Sequence, residues 1–130
     1  MLKYKLSVFG KRNHAETDEL LHNITEMLAS NAISDAYLAF EDVQTVTGVV
    51  NFSELSCLNP QRVPAMVISR YNPETDAYEA IGNPTPEGED VVCKKSRLYQ
   101  IMGLQTDYSV EARGIISQEM IAHVIAEALK

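Results

Sequence analysis

The residues best suited to chemistry lie in one short stretch near the N-terminus, from Phe9 to His14. A glycine followed by two cationic side chains and a histidine stands here, between a strand-like segment and a helical one. The first amides of a helix have no partner within it, and they form the positive end of its dipole, so such a junction attracts anions. The sequence predicts binding of a phosphate or carboxylate by Lys11, Arg12 and Asn13, with a second basic group completing the site: Lys94, Lys95 and Arg97.

A purely structural interpretation of the same stretch competes with this hypothesis and is favoured over it. Gly10 would turn the chain, Asn13 would cap the helix, and Lys11 and Arg12 would only solvate a loop. A lone glycine beside two basic residues matches neither a dinucleotide-binding fingerprint nor a P-loop. Exchanging both cations for alanine and measuring phosphate affinity would distinguish the two interpretations.

The remaining candidates for chemistry are isolated histidines. His14, Asp18 and His22 follow one another at four-residue steps and would share a helix face, but a solvated face gives the same spacing, so we expect no metal and no cofactor. His123 has a glutamate one turn away on either side, which indicates an ion-paired surface histidine rather than a catalytic base. No serine lies in a Gly-x-Ser-x-Gly elbow, and an enzyme is therefore the minority interpretation.

Charge is sorted into blocks along the chain. Residues 13–61 contain eight acidic side chains and no lysine or arginine, and the net charge of the 130 residues is −7. This balance argues against general nucleic-acid binding, which depends on cationic side chains displacing counterions. No apolar run approaches the ~20 residues that span a bilayer, and the start lacks a secretory signal, so we expect a cytoplasmic protein without membrane contact. Cys57 and Cys93 are expected to be buried free thiols, with one disulfide as the alternative.

The elements that would position these residues follow from periodicity. Residues 2–9 alternate as a half-buried strand whose lysines share the solvent face. Asn13 and Glu16 form a near capping box for a helix over about 14–30. Residues 36–43 and 45–52 are typical of two strands, which we expect to pair as a hairpin because the connection is short.

The second half of the chain has the clearest local signal. Residues 63–71 and 77–82 are strand-like and flank the turn at 72–76, which predicts a hairpin. A short strand is expected at 91–93, a short helix over about 96–102 ended by Gly103, and a final helix over about 117–129 capped by Ser117. The whole predicts one α+β domain, 1–130, with a mostly antiparallel sheet of about five to six strands and two main helices.

Three functions are compatible with this sequence. The favoured one is a non-enzymatic interaction or assembly module, which we expect to be a homo-oligomer, because the hairpin carries Tyr71 and Tyr78 and the last helix has a broad apolar stripe. The alternative is a small-ligand binding or sequestering protein that uses the basic junction, with Tyr4, Tyr99 and Arg97 as pocket walls. The third is a small enzyme acting on an anionic substrate. Exposed aromatic rings on the hairpin would favour the first, and a deep pocket containing Lys11 or Arg12 the second.

Overall fold

The computed structural model describes residues 2–45, 47–48, 64–82, 103–105 and 116–128. Helices and strands alternate in the first part of the chain, and strands precede the last helix in the second. Within the described ranges, no helix is both long enough and apolar enough to cross a membrane. The elements are β1 Tyr4–Gly10, α1 Ala15–Ala29, β2 Ala36–Asp42, β3 Ala65–Asn72, β4 Ala77–Ala80, β5 Gly103–Gln105 and α2 Gln118–Ala128.

The sheet is mixed, in the order β2-β1-β3-β4. β5 pairs with the first residues of β3, 65–67, and β4 with the last ones, 69–72. β1 and β2 run parallel, and α1 connects them, whereas the pairings of β3 with β1, β4 and β5 are antiparallel. The α+β class is confirmed. The expectation of a mostly antiparallel sheet missed the parallel β1–β2 pair, because alternation in a strand does not reveal which neighbour it pairs with or in which direction.

The central position of β1 corrects the expectation of a half-buried strand. Leu6 and Val8 face the helices, but Ser7 and Phe9 on the other face are also buried, at 8% and 4% exposure. β1 has hydrogen-bonded neighbours on both edges, so water reaches little of it. Lys5, near the N-terminal end of β1, remains half-buried.

Both helices pack on one face of the sheet and form the core with it. The apolar stripe of α1 buries Leu20, Ile24 and Met27. The predicted polar face is exposed, as the periodicity indicated: Asp18, Glu19, His22 and Glu26. The α2 stripe joins the same cluster, and its outlying Met120 and Ile125 pack against that cluster too. Two side-chain bonds tie the helices: Asn23 Nδ2 donates to the Ile116 carbonyl at 3.0 Å, and Gln118 Nε2 donates to Glu26 Oε2 at 2.8 Å.

The predicted strand over 45–52 is wrong where the structure describes it, since Thr47 and Gly48 are helical. Polar groups start this turn of helix. The Asp42 carbonyl accepts from the Thr45 amide at 3.0 Å, and the Thr45 hydroxyl accepts from the Gly48 amide at 3.0 Å, as a helix N-cap does. With that segment turning away, β2 pairs with β1 and not in the expected hairpin.

The hairpin of β3 and β4 is confirmed, and so is the final helix. Asn72 Oδ1 accepts from the Glu74 amide at 3.0 Å in the connecting turn, and Asp76 adopts a positive φ of 51°. The Met120 amide donates to the Ser117 hydroxyl at 3.2 Å, which is the expected cap of α2. Gly103 is the first residue of a strand, and the predicted strand at 91–93 and helix at 96–102 lie outside the described residues.

Candidate binding surfaces

The junction that follows β1 lies at the carboxyl edge of the two parallel strands. Gly10 and Asp42, the last residues of β1 and β2, are directly opposite each other, and the Val43 amide donates to the Gly10 carbonyl at 3.0 Å. Open sheets with parallel strands bind ligands at this edge. The strand–helix–strand order therefore brings Lys11 and Arg12 next to the end of β2.

Close contact between Gly10 and the first turn of α1 fixes the junction. A Cβ added at Gly10 would lie 2.5 Å from Thr17 Cγ2 and 2.7 Å from its Oγ1, and Thr17 itself is fully buried. The Thr17 hydroxyl accepts from the Lys11 amide at 3.3 Å and shares a hydrogen bond of 2.8 Å with His14 Nδ1. Glycine is required here because the helix touches the strand's backbone.

The predicted capping role of Asn13 is wrong. α1 begins one residue later than that role requires: its N-cap is His14, which makes no side-chain bond to the helix amides. Asn13 instead adopts a left-handed conformation with a φ of 59°, a backbone position that asparagine tolerates better than most residues. Asn13 therefore turns the chain, which is the part that the sequence interpretation gave to Gly10.

Acidic groups lie beside Arg12 and His14 at the junction. Arg12 Nε lies 3.4 Å from Asp42 Oδ2, with the arginine side chain 77% exposed and the aspartate 12% exposed. Glu16 in the first turn of α1 lies 3.3 Å from His14 Nε2 and already occupies the positive end of the helix dipole. Lys11 is exposed. The second basic group, Lys94, Lys95 and Arg97, lies outside the described residues, so its convergence with the first stays a prediction.

The other histidines pair with carboxylates on their own helices. His22 Nε2 lies 3.2 Å from Glu26 Oε1 on the exposed face of α1, and His123 Nε2 lies 3.5 Å from Glu127 Oε1 on α2. Both pairs have the four-residue spacing that favours such contacts. No group of three or more candidate metal ligands occurs in the described parts of the chain.

A cluster of three tyrosines lies on the sheet face opposite the helices, and we call it the tyrosine cluster: Tyr37, Tyr71 and Tyr78. Tyr71 and Tyr78 are cross-strand partners in the hairpin, with ring centroids 5.4 Å apart and tilted by 60°. Tyr37 on β2 meets the Tyr78 ring edge-on at 5.4 Å and 74°. All three are half-buried, so each ring keeps part of its surface in water.

Hydrogen bonds hold two of these rings. The Tyr78 hydroxyl donates to the Leu2 carbonyl, and the Tyr71 hydroxyl donates to Asp76 Oδ1 in the hairpin turn. The bond to Asp76 is the chief reason why the pKa of Tyr71 is raised above the ordinary 10.0. Desolvation, followed by the field of Tyr37, raises the pKa of Tyr78. Both side chains are therefore neutral and fixed in place at physiological pH, which lowers the entropy lost when a partner binds.

The two ends of this sheet face differ in exposure. Phe9, Ala65 and Val67 are buried near β5, at 4%, 0% and 2% exposure, whereas Lys5 and the tyrosine cluster at the other end remain half-buried. The helices pack on the opposite face, against Leu6 and its neighbours. The open end is thus an amphipathic surface of aromatic rings and a lysine stem.

Lys11 and Arg12 line neither of two cavities that described residues form. A cavity of about 60 Å³ lies between the sheet, the α1–β2 connection and the end of α2, and apolar side chains such as Leu6, Ile33 and Ile68 line most of it. An open groove of about 390 Å³ runs beside the hairpin, where Tyr71 forms part of its wall. An accessible groove therefore lies beside the hairpin.

No family model, curated protein or solved structure matches this chain. Sequence reasoning selected Tyr71 and Tyr78 because they flank a turn, but it missed Tyr37. The available signal was the order strand, helix, strand over residues 4–42, which is typical of two parallel neighbours and places β2 in the same sheet as the hairpin.

Proposed function

We propose that this protein is a non-enzymatic interaction module that binds a protein partner through the tyrosine cluster. The observation that carries the proposal is the position of three half-buried, mutually packed tyrosines on the sheet face that the helices leave open. Tyrosine is enriched at protein interfaces because its ring provides a large apolar contact area and its hydroxyl a hydrogen bond, at a low cost in side-chain entropy.

Charge beside the cluster is mixed, because Asp76 bonds to Tyr71 and, besides desolvation, the Asp35 carboxylate helps to raise the pKa of Tyr78, so a partner surface with both signs of charge suits this position. Lys3 and Lys5 lie at the N-terminal end of β1, beside the tyrosine cluster, while the acidic residues of α1 lie on the opposite side of the sheet. A net charge of −7 makes nucleic acid an unsuitable partner.

A peptide library displayed on phage tests the proposal with the purified protein. Selection on the wild type is expected to enrich a common motif whose binding is lost with Tyr78→Ala, since Tyr78 contacts both other rings. Glu79→Ala is the matched control, because Glu79 is the next residue on β4 and its side chain points to the other face. Equal binding by both variants, or no enriched motif on the wild type, would count against the tyrosine cluster as the binding surface.

Anion binding at the basic junction is the second candidate function. Its support is the position of Lys11 and Arg12 at the carboxyl edge of parallel strands, and the ion pair of Arg12 with Asp42 weakens it. Titration with inorganic phosphate, followed by backbone amide shifts, tests it. Saturable shifts at residues 11–17 that Lys11→Ala abolishes, and that Lys3→Ala leaves in place, would support this function. Unchanged amide shifts in the wild type would exclude it.

A further inference from the structure

The outer edge of β2 carries unused backbone hydrogen-bonding groups. The Tyr4 amide donates to the Asp35 carbonyl at 3.0 Å, and the Val43 amide donates to Gly10, so the odd-numbered amides of this strand face β1. Ala36, Leu38 and Phe40 consequently direct their amides and carbonyls away from the sheet. Among the described residues, no strand pairs with this edge.

The side chains of segment 36–40 lack the features by which sheet edges normally avoid pairing. Segment 36–40 contains no lysine, no proline and no charged residue, and its side chains are half-buried or exposed. Phe40 is 37% exposed. Among the described residues, it is one of two large hydrophobic side chains that are exposed to solvent. An exposed, apolar and unprotected edge strand is a template for adding another strand.

We propose that a second copy of this chain pairs with the first through antiparallel contact of the two β2 strands. The inference does not depend on the tyrosine cluster being a binding surface. A two-fold axis requires residues with outward-facing amides to lie opposite one another, so one residue of each strand must face itself. The candidates near the middle of the strand are Leu38, Ala39 and Phe40.

Charge and packing select Ala39 as the self-facing residue. In that register Leu38 faces the partner's Phe40, Tyr37 faces the partner's Glu41, and no two like charges are opposite. Centring on Leu38 would place Asp35 opposite the partner's Glu41, and centring on Phe40 would place Leu38 opposite the partner's Asp42. With Ala39 central, Leu38 and Phe40 each gain a backbone donor and a backbone acceptor, and their side chains cover each other on the helix side of the sheet.

The resulting dimer has one continuous sheet across the axis. Because pairing keeps each face of the sheet continuous, the tyrosine clusters of both copies would lie on the same face, one on each side of the axis. The net charge of −7 on each copy opposes the association, so added salt should strengthen it by screening. A basic extended peptide bound to the same edge would show the opposite salt dependence.

Sedimentation over a concentration series tests the dimer. The wild type is expected to form a dimer whose dissociation constant falls as salt is raised, and Phe40→Lys is expected to weaken it about 100-fold, since each dimer contains two altered contacts worth roughly tenfold each. Thr25→Lys, which adds the same charge on the exposed face of α1, should leave the dimer unchanged. A monomeric wild type, or a dimer that Phe40→Lys leaves intact, would overturn the proposal.

Disulfide trapping tests the register without depending on the folding of Phe40→Lys. Residues that face each other in a non-hydrogen-bonded antiparallel pair have Cα atoms about 4.5 Å apart, close enough for a disulfide. Ala39→Cys is therefore expected to form a covalent dimer under mild oxidation. The wild type, with its own Cys57 and Cys93, and Thr25→Cys are the controls. Absence of the Ala39→Cys dimer, or equal cross-linking in the controls, would refute this register.

Discussion

Replacing Gly10 with alanine should destabilise the protein through one defined contact. The added Cβ would lie 2.5 Å from Thr17 Cγ2 and 2.7 Å from Thr17 Oγ1, well inside van der Waals contact. Thr17 is fully buried and hydrogen-bonds to the Lys11 amide and to His14. It has no space to move into, so α1 must shift away from β1.

The expected loss of stability in Gly10→Ala is the balance of two opposing effects. Overpacking of a buried contact costs about 1–3 kcal/mol. Exchange of glycine for alanine also restricts the unfolded chain, which returns about 0.4–1 kcal/mol where the native backbone is unstrained. We therefore expect Gly10→Ala to lower the free energy of unfolding by about 1–2 kcal/mol.

A double-mutant cycle with Thr17→Ala isolates the contact. Thr17→Ala alone removes the hydroxyl that accepts from the Lys11 amide, and it should lower the free energy of unfolding by about 1–2 kcal/mol. In the double variant, the methyl and hydroxyl groups that clash with the new Cβ are absent, so the total cost should be less than the sum by at least about 1 kcal/mol. Urea unfolding followed by circular dichroism measures all four free energies, with unchanged m-values as the check on two-state behaviour.

Additive free energies, or a stabilising Gly10→Ala, would refute the close contact between Gly10 and Thr17. Additivity would mean that the alanine acts through something other than Thr17. A gain in stability would mean that α1 does not lie this close to the end of β1. The loop of Lys11 and Arg12, which connects the two, would then occupy a different position.

Three further outcomes follow from single contacts. Arg70→Met should cost about 1 kcal/mol in urea unfolding, because the Arg70 guanidinium donates to the Ala128 carbonyl at the end of α2 at 3.2 Å. Arg12→Ala should lower the free energy of unfolding by less than about 1 kcal/mol, since the arginine side chain of this ion pair is 77% exposed, although Asp42 is largely buried; a larger loss would contradict that exposure. Tyr71 binds its proton more tightly when folded, so its stabilisation is present below pH 10.0 and declines as pH rises through its folded pKa. Absorbance titration should show that pKa moving back toward 10.0 in Asp76→Asn, and an unmoved pKa would refute the role of that bond.

Much of the local structure was predictable from the sequence, because local structure depends on neighbours along the chain. The apolar stripes of α1 and α2 fixed two helices to within a residue or two, and the Asn72 to Asp76 turn fixed the hairpin. The site was less predictable. Asparagine is a residue type that is preferred at helix N-caps, but the positive φ of Asn13 depends on where α1 packs against β1.

The sequence by itself determined the α+β class, the hairpin with Tyr71 and Tyr78, and the acidic block of residues 13–61 that follows Arg12. Only the tertiary structure decided that β2 runs parallel to β1, that Arg12 meets Asp42, and that Tyr37 joins the hairpin tyrosines. The reason is physical. Periodicity records which face of an element is buried, whereas the partner and direction of a strand depend on contacts between residues far apart in the chain.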